Sequence, residues 1–503
     1  MCATVKPTLT FGSFARVTGV LLAAGAAFGE TTGSAGNELP FDNRQPSVVI
    51  NFAVTKQGIF GLGVPVRMFA FNLPEDWTPA DGRLLSRNQY SMMYDQIGTT
   101  YGGDGVATFA VPDLRGRSPI GAGEAPGGSV YAAGQVDGSS HVTLSLAQMP
   151  AHGHSLECGA ETGLTGGGQP FDNRQPTQAL HWELAKAGVF PFRPFAETER
   201  GGGASPALPF FGQIVLHSVP ATLGGLYTPA NGGVMFISLN SALFSILGTY
   251  YGGNGTQQFG IPELRGRLVN GVGEGTGGTS YVVGETGGTE FVTLDSGQIP
   301  EHVHTVPGGP PSGAAGTGEA ADNRQPLLSV QYCIAVNGVY PAGSEMDDTE
   351  TYVGEIIAFA GNFAPAGFLP CDGRLMAVAE NETLAALLGP TYGGDGVTTF
   401  ALPDLRGRVP LGVGPGLALG TYLGEDAVPL TGSNLPAHTH ELGASCEGDY
   451  DGNGERNTTD LVLFLSRFGQ TTTPGYCGDL TGDGFVNTGD LVLFLSRFGV
   501  ACD

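Results

Sequence analysis

The chain has 503 residues, more than one hydrophobic core usually holds, and this length predicts roughly three or four domains. Its 22 basic residues stand against 47 acidic ones, and the resulting formal charge of −25 excludes binding driven by contacts to nucleic-acid phosphates. The 84 glycines and 34 prolines indicate many turns, while a hydrophobic content of 41% is that of a folded chain. We therefore expect a turn-rich β protein with several domains and no nucleic-acid partner.

The first 29 residues have the order of a secretory signal peptide. Lys6 and Arg16 precede an apolar stretch over residues 17–27, and small residues continue to Gly29. This stretch is too short to span a bilayer, and no later segment has the length of a transmembrane helix. We predict a protein that is secreted or attached to the cell surface, has no membrane span and starts near Glu30. A disordered leader is the alternative.

Six cysteines lie beyond this leader, and export would permit them to form disulfides. The sequence does not choose among the pairings that six cysteines allow. Cys446 and Cys502 bracket the last domain and are the favoured pair. The six are Cys158, Cys333, Cys371, Cys446, Cys477 and Cys502.

A long unit occurs three times, and each copy opens with Asp-Asn-Arg-Gln-Pro, at Asp42, Asp172 and Asp322. A run rich in β-branched and aromatic residues follows, and a second short run of the same kind comes next, so each copy predicts two strands. A short helix is predicted after them, beginning with a capping box at Ser86 and Gln89 in the first unit. Its expected C-terminal stops are Gly98, Gly248 and Gly389. The predicted strands include 48–54, 66–70, 213–216 and 355–360.

The second half of each unit carries a specific series of motifs. Tyr-Gly-Gly-(Asp/Asn)-Gly is followed by Pro-(Asp/Glu)-Leu-Arg-Gly-Arg and then by Pro-x-His-x-His. In the third unit the first two motifs fall within residues 388–396 and 400–408. This series, over residues 41–441, resembles the phage tail collar domain, and more closely the bacterial microcystin-dependent protein family that carries it.

The order of segments departs from that family. There the Asn-x-Gln-Pro strand segment usually follows the collar, whereas here it precedes the first collar and nothing similar follows the third. The array therefore looks circularly offset. We hypothesise that the segment beginning at Asp42 packs against the third collar and closes the array, much as a propeller closes with its first strand.

Each unit ends with two histidines separated by one residue. In a strand this spacing puts both imidazoles on one face, about 6 to 7 Å apart along the backbone, where they could share a metal ion. Phage short tail fibres, which this arrangement resembles, use one such pair from each of three chains to hold one metal on a threefold axis. The resemblance implies an intramolecular pseudo-trimer with six imidazole ligands for a single transition metal, such as zinc, iron or nickel. The histidines are His152, His154, His302, His304, His438 and His440.

The alternative is that Pro150, Pro300 and Pro436 start turns, which the histidines cap by hydrogen bonds to the backbone. The Arg-Gly-Arg pairs are interpreted as local ion-paired loops, with a grip on carbohydrate or phosphate as their alternative. The sequence contains neither a G-x-S-x-G elbow nor H-E-x-x-H, and a formal G-x-G-x-x-G at 273–278 has no helix after it. We therefore expect no enzymatic activity.

The composition changes at Cys446, where two copies of a shorter unit end in the same ten residues, at 460–469 and 490–499. Within each copy, oxygen-bearing side chains have the spacing of a calcium loop, with a backbone carbonyl at the seventh position. A helix is predicted after each loop but none before it, which resembles a dockerin type I domain, whose tandem calcium loops pair with a cohesin on another protein. The predicted ligands are Asp449, Asp451, Asn453, Glu455, Asn457 and Asp460, then Asp479, Thr481, Asp483, Phe485, Asn487 and Asp490.

These patterns together predict a mainly β fold with short helices, in which α+β collar-like repeats precede a small α-helical calcium-loop domain. The predicted function is that of a secreted, non-enzymatic structural or adhesive protein with two calcium ions and a single transition metal. A cohesin-like or cell-surface protein, or a surface glycan, is the expected partner. The predicted domains are a signal peptide at 1–29, collar-like repeats at 41–157, 170–306 and 321–442, and a dockerin-like domain at 446–503.

Dockerins commonly carry glycoside hydrolases. The alternative function is therefore a carbohydrate-binding or polysaccharide-degrading subunit of a cellulosome-like assembly. A subunit of a phage-derived particle is a third possibility, which the signal peptide and the tail disfavour.

Overall fold

The computed structural model describes twelve stretches of the chain: residues 31–55, 64–75, 77–156, 161–192, 209–221, 223–275, 278–306, 311–341, 350–442, 448–450, 455–471 and 478–500. These residues are mainly β with short helices, and the two longest helices lie near the C-terminus. The fold class predicted from the sequence is therefore confirmed. The predicted signal peptide, Cys158 and the pair Cys446 and Cys502 lie outside the described residues.

The three repeats contain closely similar series of strands. The first has β1 (Phe41–Asp42), β2 (Ser47–Val54), β3 (Val66–Phe69), β4 (Thr78–Pro79), β5 (Leu84–Ser86), β6 (Thr108–Ala110), β7 (Ser118–Gly121), β8 (Gly123–Glu124), β9 (Val130–Tyr131), β10 (Val136–Asp137) and β11 (His141–Val142). The second has β12 (Phe171–Asp172), β13 (Thr177–Ala185), β14 (Gln213–His217), β15 (Tyr227–Pro229), β16 (Val234–Phe236), β17 (Gln258–Gly260), β18 (Leu268–Gly271), β19 (Gly273–Glu274), β20 (Ser280–Tyr281), β21 (Thr286–Gly287) and β22 (Phe291–Val292). The third has β23 (Ala321–Asp322), β24 (Leu327–Ala335), β25 (Glu355–Phe359), β26 (Phe368–Pro370), β27 (Leu375–Ala377), β28 (Thr399–Ala401), β29 (Val409–Gly412), β30 (Tyr422–Leu423) and β31 (Ala427–Val428).

Each repeat also has one short helix in its collar segment, and two further helices follow the repeats. The collar helices are α1 (Ser91–Ile97), α2 (Ser241–Leu247) and α3 (Glu382–Leu388), and the last two are α4 (Thr458–Ser466) and α5 (Thr488–Arg497). Single-turn 3₁₀ helices lie at Ile237–Leu239, Val378–Glu380 and Gly432–Asn434.

The long strands β2, β13 and β24 are buried along almost their whole length. β2 and β24 are mostly apolar, as expected of strands buried on both faces, whereas β13 also buries Thr177, Gln178 and Glu183. Each of them belongs to two repeats. The first half of β13 pairs in parallel with β7 of the first repeat, and its second half pairs antiparallel with β14 of its own repeat. In the same way β24 joins β18 to β25.

The contact between the third and first repeats is made in the same way by β2, the long strand near the start of the first repeat. The residues from Ser47 to Ile50 in β2 pair in parallel with β29, from Val409 to Gly412, and also contact β30. The second half of β2 pairs with β3 of its own repeat. The hypothesis that the segment beginning at Asp42 packs against the third collar is therefore confirmed, and the array closes into a ring.

The strands β3, β14 and β25 meet at the centre of this ring. Along the edge of β25 that faces away from β24, the C-terminal end of the strand pairs with β14 and its N-terminal end pairs with β3, and a single bridge from Pro65 to His217 links β3 to β14. Side chains from all three repeats form one hydrophobic core there, including the equivalent Phe109, Phe259 and Phe400. The repeats therefore have a pseudo-threefold arrangement around a shared core.

The helix stops were predicted correctly, but one helix start was not. Gly98 ends α1 with a φ of 56°, in the left-handed region that favours glycine, and Gly248 and Gly389 end the other two collar helices in the same way. The predicted capping box at Ser86 and Gln89 is wrong. Ser86 is the last residue of β5, which pairs with β6, and α1 begins only at Ser91.

The helices α4 and α5 pack together through stacked aromatic rings. The rings of Phe464 and Phe494 are parallel within 11°, with centroids 5.6 Å apart, and Tyr450 stacks on both. Asn457 and Asn487 cap the two helices by accepting backbone N–H groups. Among the helices that the structure describes, none combines the length and apolar character needed to cross a bilayer.

Candidate metal centre

The three His-x-His pairs converge on one point of the ring. Each of the six imidazoles offers one nitrogen, and these six atoms all lie within 4.8 Å of one another. Five of the six residues are buried, and His302 is half-buried. The structure thus brings together all six histidines that the sequence singled out.

The first histidine of each pair is held by the turn that precedes it. The Nδ1 atoms of these three histidines lie 2.9 to 3.1 Å from the carbonyl oxygens of Pro150, Pro300 and Pro436. The alternative interpretation, in which these histidines form hydrogen bonds to the backbone, therefore accounts for their Nδ1 atoms. It does not account for the position of their Nε2 atoms. The three residues are His152, His302 and His438.

The second histidine of each pair is held by a linker from elsewhere in the ring. His154 Nδ1 lies 2.8 Å from the carbonyl oxygen of Gly313, in the linker that follows the second repeat. The equivalent contacts, at 2.7 and 2.9 Å, join His304 to Gly33 and His440 to Gly163. Each repeat therefore depends on another segment of the chain to orient its second imidazole.

These contacts fix the tautomer of the rings. A carbonyl oxygen only accepts hydrogen bonds, so each Nδ1 carries the proton and each neutral ring has its lone pair on Nε2. The Nε2 atoms of His152 and His302 are 3.1 Å apart, and that of His438 lies 3.2 Å from those of both His302 and His304. Lone pairs therefore face lone pairs with no proton between them. The buried Nε2 atoms of His154 and His440 have no hydrogen-bond partner among the described residues.

The separations of the six nitrogens match those of ligands around one metal ion. With metal–nitrogen bonds of about 2.1 Å, six octahedral ligands lie about 3.0 Å apart when adjacent and about 4.2 Å apart when opposite. The adjacent separations of 3.1 to 3.2 Å and the outer limit of 4.8 Å are close to those values. The residues therefore fit a six-coordinate transition metal with nitrogen ligands, the type of ion that imidazole favours.

The protonation of the histidines also suits metal binding. Burial, together with the neighbouring imidazoles, lowers the pKa values of His152, His154 and His438 from 6.5 to about 4. Burial likewise lowers the pKa values of His302 and His440. These rings are therefore neutral at pH 7, as metal ligands must be.

The opening Asp-Asn-Arg-Gln-Pro motif has a role near the axis that the sequence did not suggest. The Gln45 N–H donates to Gln175 Oε1 at 3.1 Å, and the Gln325 N–H donates to Gln45 Oε1 at 2.8 Å. Within the first motif, the guanidinium of Arg44 forms a 2.6 Å ion pair with Asp42. The recurrence of these five residues in all three units was visible in the sequence. The contacts between the three motifs became apparent only once the repeats were seen to close into a ring.

The arginines of the Pro-(Asp/Glu)-Leu-Arg-Gly-Arg motif form local ion-paired loops. Arg115 pairs with Asp113 at 2.8 Å, and the second arginine, Arg117, pairs with the same carboxylate at 3.0 Å. The equivalent pairs of the other repeats involve Arg265, Arg406 and Arg408. This agrees with the structural interpretation of these residues.

A second cluster of metal-binding type lies in the C-terminal region. Carboxylate oxygens of Asp479, Asp483 and Asp490 lie within 4.8 Å of one another, and Asp479 and Asp490 are fully buried. The Asp490 carboxylate accepts the backbone N–H groups of Thr481 and Asn487, both at 2.8 Å. Three clustered carboxylates form the oxygen-rich, negatively charged environment that calcium requires.

The first loop is described only in part. Asp460 is buried like Asp490, and its carboxylate accepts the N–H groups of Tyr450 at 2.6 Å and Asn457 at 2.8 Å. Asp449 and Glu455 are among the described residues. The remaining two predicted ligands of this loop, Asp451 and Asn453, lie outside the described part of the chain.

Comparison with known proteins identifies the repeated segment. Residues 65–119, 212–269 and 354–410 each match the family described as Phage Tail Collar Domain. Each match begins at the third strand of a repeat (β3, β14 or β25) and ends within β7, β18 or β29. It includes the first two of the three sequence motifs, whereas the His-x-His pairs lie after the matched residues. Collar domains are structural parts of phage tails, so the comparison indicates a structural, fibre-like protein.

The comparison is limited to these three segments. No curated protein and no solved structure is similar enough to the chain to give a match. The matched segments do not reach the C-terminal region. Its likeness to a dockerin therefore stays a prediction, as does the closer likeness of the repeats to the microcystin-dependent family.

Proposed function

We propose that this chain is an exported, non-enzymatic structural protein whose three collar repeats form a ring around a single transition metal. The six Nε2 lone pairs at one point carry this proposal, because a cation in their midst removes their mutual repulsion. His152, His302 and His438 would supply three ligands, and His154, His304 and His440 the others. The bound metal would cross-link all three repeats, much as a disulfide cross-links two segments.

X-ray absorption spectroscopy of the zinc-loaded or nickel-loaded full-length protein tests the centre directly. We expect a shell of six nitrogen neighbours at about 2.1 Å with the outer-atom pattern of imidazole. A metal with mixed nitrogen and oxygen neighbours from elsewhere in the chain would contradict the proposal.

Competition with a chelator provides the matched comparison. His302→Ala removes one ligand, and we expect its metal affinity to fall by at least about tenfold, the loss typical when a metal site is perturbed. His141→Ala is the control, because His141 is exposed in β11 and contributes nothing to the cluster. Equal affinity of the two variants would exclude the six-histidine centre.

We further propose that the C-terminal region binds two calcium ions and attaches the ring to a surface or scaffold protein. Two observations support this role: the clustered carboxylates of Asp479, Asp483 and Asp490, and the duplication of the loop and helix. Attachment through a cohesin-like partner, or to a surface glycan, rests on the sequence resemblance alone. Export rests on the signal-peptide pattern of residues 1–29.

Calcium titration of the chelator-treated protein tests this part. Asp490→Asn keeps the shape of the side chain but removes one charge from the second loop, so we expect one of two binding events to be lost or greatly weakened. Asp483→Asn is a second variant in the same loop whose side chain is exposed. Two unchanged calcium-binding events in Asp490→Asn would contradict the assignment.

A further inference from the structure

Residues 31–40, which we call the clasp, make the contacts for the third histidine pair that linkers make for the other two. The Thr32 hydroxyl accepts the His440 N–H at 2.9 Å, as Thr162 does for His154 and Ser312 does for His304, both also at 2.9 Å. Residues 32–35 of the clasp are therefore the pseudo-threefold equivalents of residues 162–165 and 312–315.

The clasp contacts histidines of two of the three repeats. It bridges His438 through Ala35, with backbone hydrogen bonds in both directions at 3.0 and 2.9 Å. It also orients His304, because the Gly33 carbonyl oxygen lies 2.7 Å from His304 Nδ1. Displacing the clasp would therefore release the imidazoles of two different repeats.

The clasp differs from the two linkers in how it is connected. Thr162 and Ser312 each lie 8 positions along the chain from the histidine that they contact, whereas Thr32 lies 408 positions from His440. A linker is thus joined by a few residues both to the histidine that it contacts and to the next repeat, whereas the clasp is joined to the ring by a few residues through β1. Short tethers on both sides keep an opened segment close to its docking site. With the same local contacts, the clasp should therefore open more readily than either linker.

Burial within the clasp is too slight to prevent this opening. From residue 31 to residue 40 only Thr32 is buried, and the segment is held mainly by backbone hydrogen bonds. The amides of Thr32, Ala35 and Glu38 donate to carbonyl oxygens of the third repeat at 2.9 to 3.0 Å. Segments with few buried apolar contacts open locally at low free-energy cost.

We propose that residues 31–40 form a releasable clasp whose docking completes the six-histidine centre, so that metal binding and clasp docking stabilise each other. The inference rests on the proposed metal site. By linkage, whatever factor the docked clasp adds to metal affinity, bound metal adds to clasp docking. The metal centre would then stabilise the contact between the first and third repeats, which are not consecutive in the chain.

Hydrogen exchange of the full-length protein, with native mass spectrometry on the same samples, tests the coupling. We expect one equivalent of Zn²⁺ to slow exchange of the clasp amides at least about tenfold, with a smaller effect on residues 162–165. If zinc binds and clasp exchange is unchanged, the coupling is overturned while the metal site stands. If zinc does not bind, the proposed metal function fails and the coupling fails with it.

Two variants compare equivalent positions. Thr32→Val and Thr162→Val remove the same hydroxyl acceptor with little change in shape. We expect Thr32→Val to weaken zinc binding several-fold more than Thr162→Val, and to speed clasp exchange in the zinc-free protein. Equal zinc affinities in the two variants would overturn the proposal, because they would show that the clasp behaves like a tethered linker.

Gly33 offers a stronger perturbation. A Cβ atom on Gly33 would collide with the Thr305 hydroxyl, so Gly33→Ala should displace the clasp at the point where it orients His304. We expect fast clasp exchange and weakened zinc binding, with the melting temperature of the zinc-free protein almost unchanged. A large loss of stability without zinc would instead show that the segment is a fixed part of the fold.

Discussion

At the scale of single residues, the second repeat differs from the first at two buried positions, His217 and Glu183. His217 is fully buried, and neither ring nitrogen has a hydrogen-bond partner among the described residues. Its Nε2 lies 3.7 Å from the buried carboxylate of Glu183, too far for a hydrogen bond. By strand register, the equivalent residues of the first repeat are Phe69 and Ala53. The second repeat thus carries buried polar atoms where the first is apolar.

This difference predicts a stabilising double substitution. His217→Phe with Glu183→Ala removes the unpaired imidazole nitrogens and the unpaired Glu183 Oε2, but also the acceptor of the Leu223 N–H. We therefore expect a net gain of about 1 kcal/mol in the free energy of unfolding. Urea denaturation at neutral pH would measure it. His217→Phe alone should gain less, because it leaves Glu183 buried beside an apolar ring. A double variant less stable than the natural protein would contradict this account.

A surface aspartate gives a prediction about pH. The Asp104 carboxylate accepts three backbone N–H groups, from Val106, Ala107 and Thr108, which lower its pKa from 3.8 to about 2. The stability that it contributes is therefore complete above pH 3.8 and lost as the pH falls through about 2. Asn254 makes the same three contacts in the second repeat without ionising.

Asp104→Asn should therefore keep the three contacts at every pH, lose at pH 7 only the part of the stability that depends on the charge, and remove this part of the acid dependence. Urea unfolding at pH 7 and at pH 2 would compare the stability of this variant with that of the natural protein. Asp104→Ala is the control, because it loses the contacts at both pH values. If Asp104→Asn lost as much stability at pH 7 as Asp104→Ala, the charge rather than the loop geometry would be the dominant effect.

At the scale of elements, local sequence patterns predicted the strands and the helix ends correctly. At one helix start, the pairing of two strands overrode the local pattern. Buried strands were visible as apolar runs, and the glycine stops were correct because the ends of α1, α2 and α3 need a positive φ. The helix start at Ser86 failed because residues 84–86 pair with β6, which lies more than 20 positions away. A local capping signal carries no information about such a partner.

The shared strand β2 gives an element-scale prediction. The Val49 N–H donates to the Thr421 carbonyl oxygen at 2.9 Å, and the side chain is fully buried. Val49→Pro removes this donor from a central strand, so we expect a loss of about 3 kcal/mol or more. Faster hydrogen exchange should appear in β29 and β30 of the third repeat.

Val49→Ala is the matched control, because it keeps the backbone donor and loses only methyl groups. It should cost less than the proline variant and leave exchange in β29 and β30 nearly unchanged. If exchange rose only in the first repeat of Val49→Pro, β2 would not be the element that joins the first and third repeats.

At the scale of the whole molecule, repeat counting and the offset order of segments predicted the closure of the ring. The six histidines of the candidate metal centre were also predictable, because the same pair of histidines recurs at the end of every unit. Their orientation was not, since it depends on carbonyl groups such as Gly33 and Gly163, which lie 271 and 277 positions from the histidines that they contact. Sequence spacing cannot show contacts exchanged between repeats.

The central claim is that one transition metal is held by histidines of all three repeats. Elemental mass spectrometry of the full-length protein, before and after mild chelation, tests it most directly. The account predicts one tightly held transition metal per chain together with about two calcium ions. It also predicts that His438→Ala loses the transition metal and keeps the calcium. Calcium alone in the natural protein, or a transition metal retained unchanged in His438→Ala, would contradict the claim.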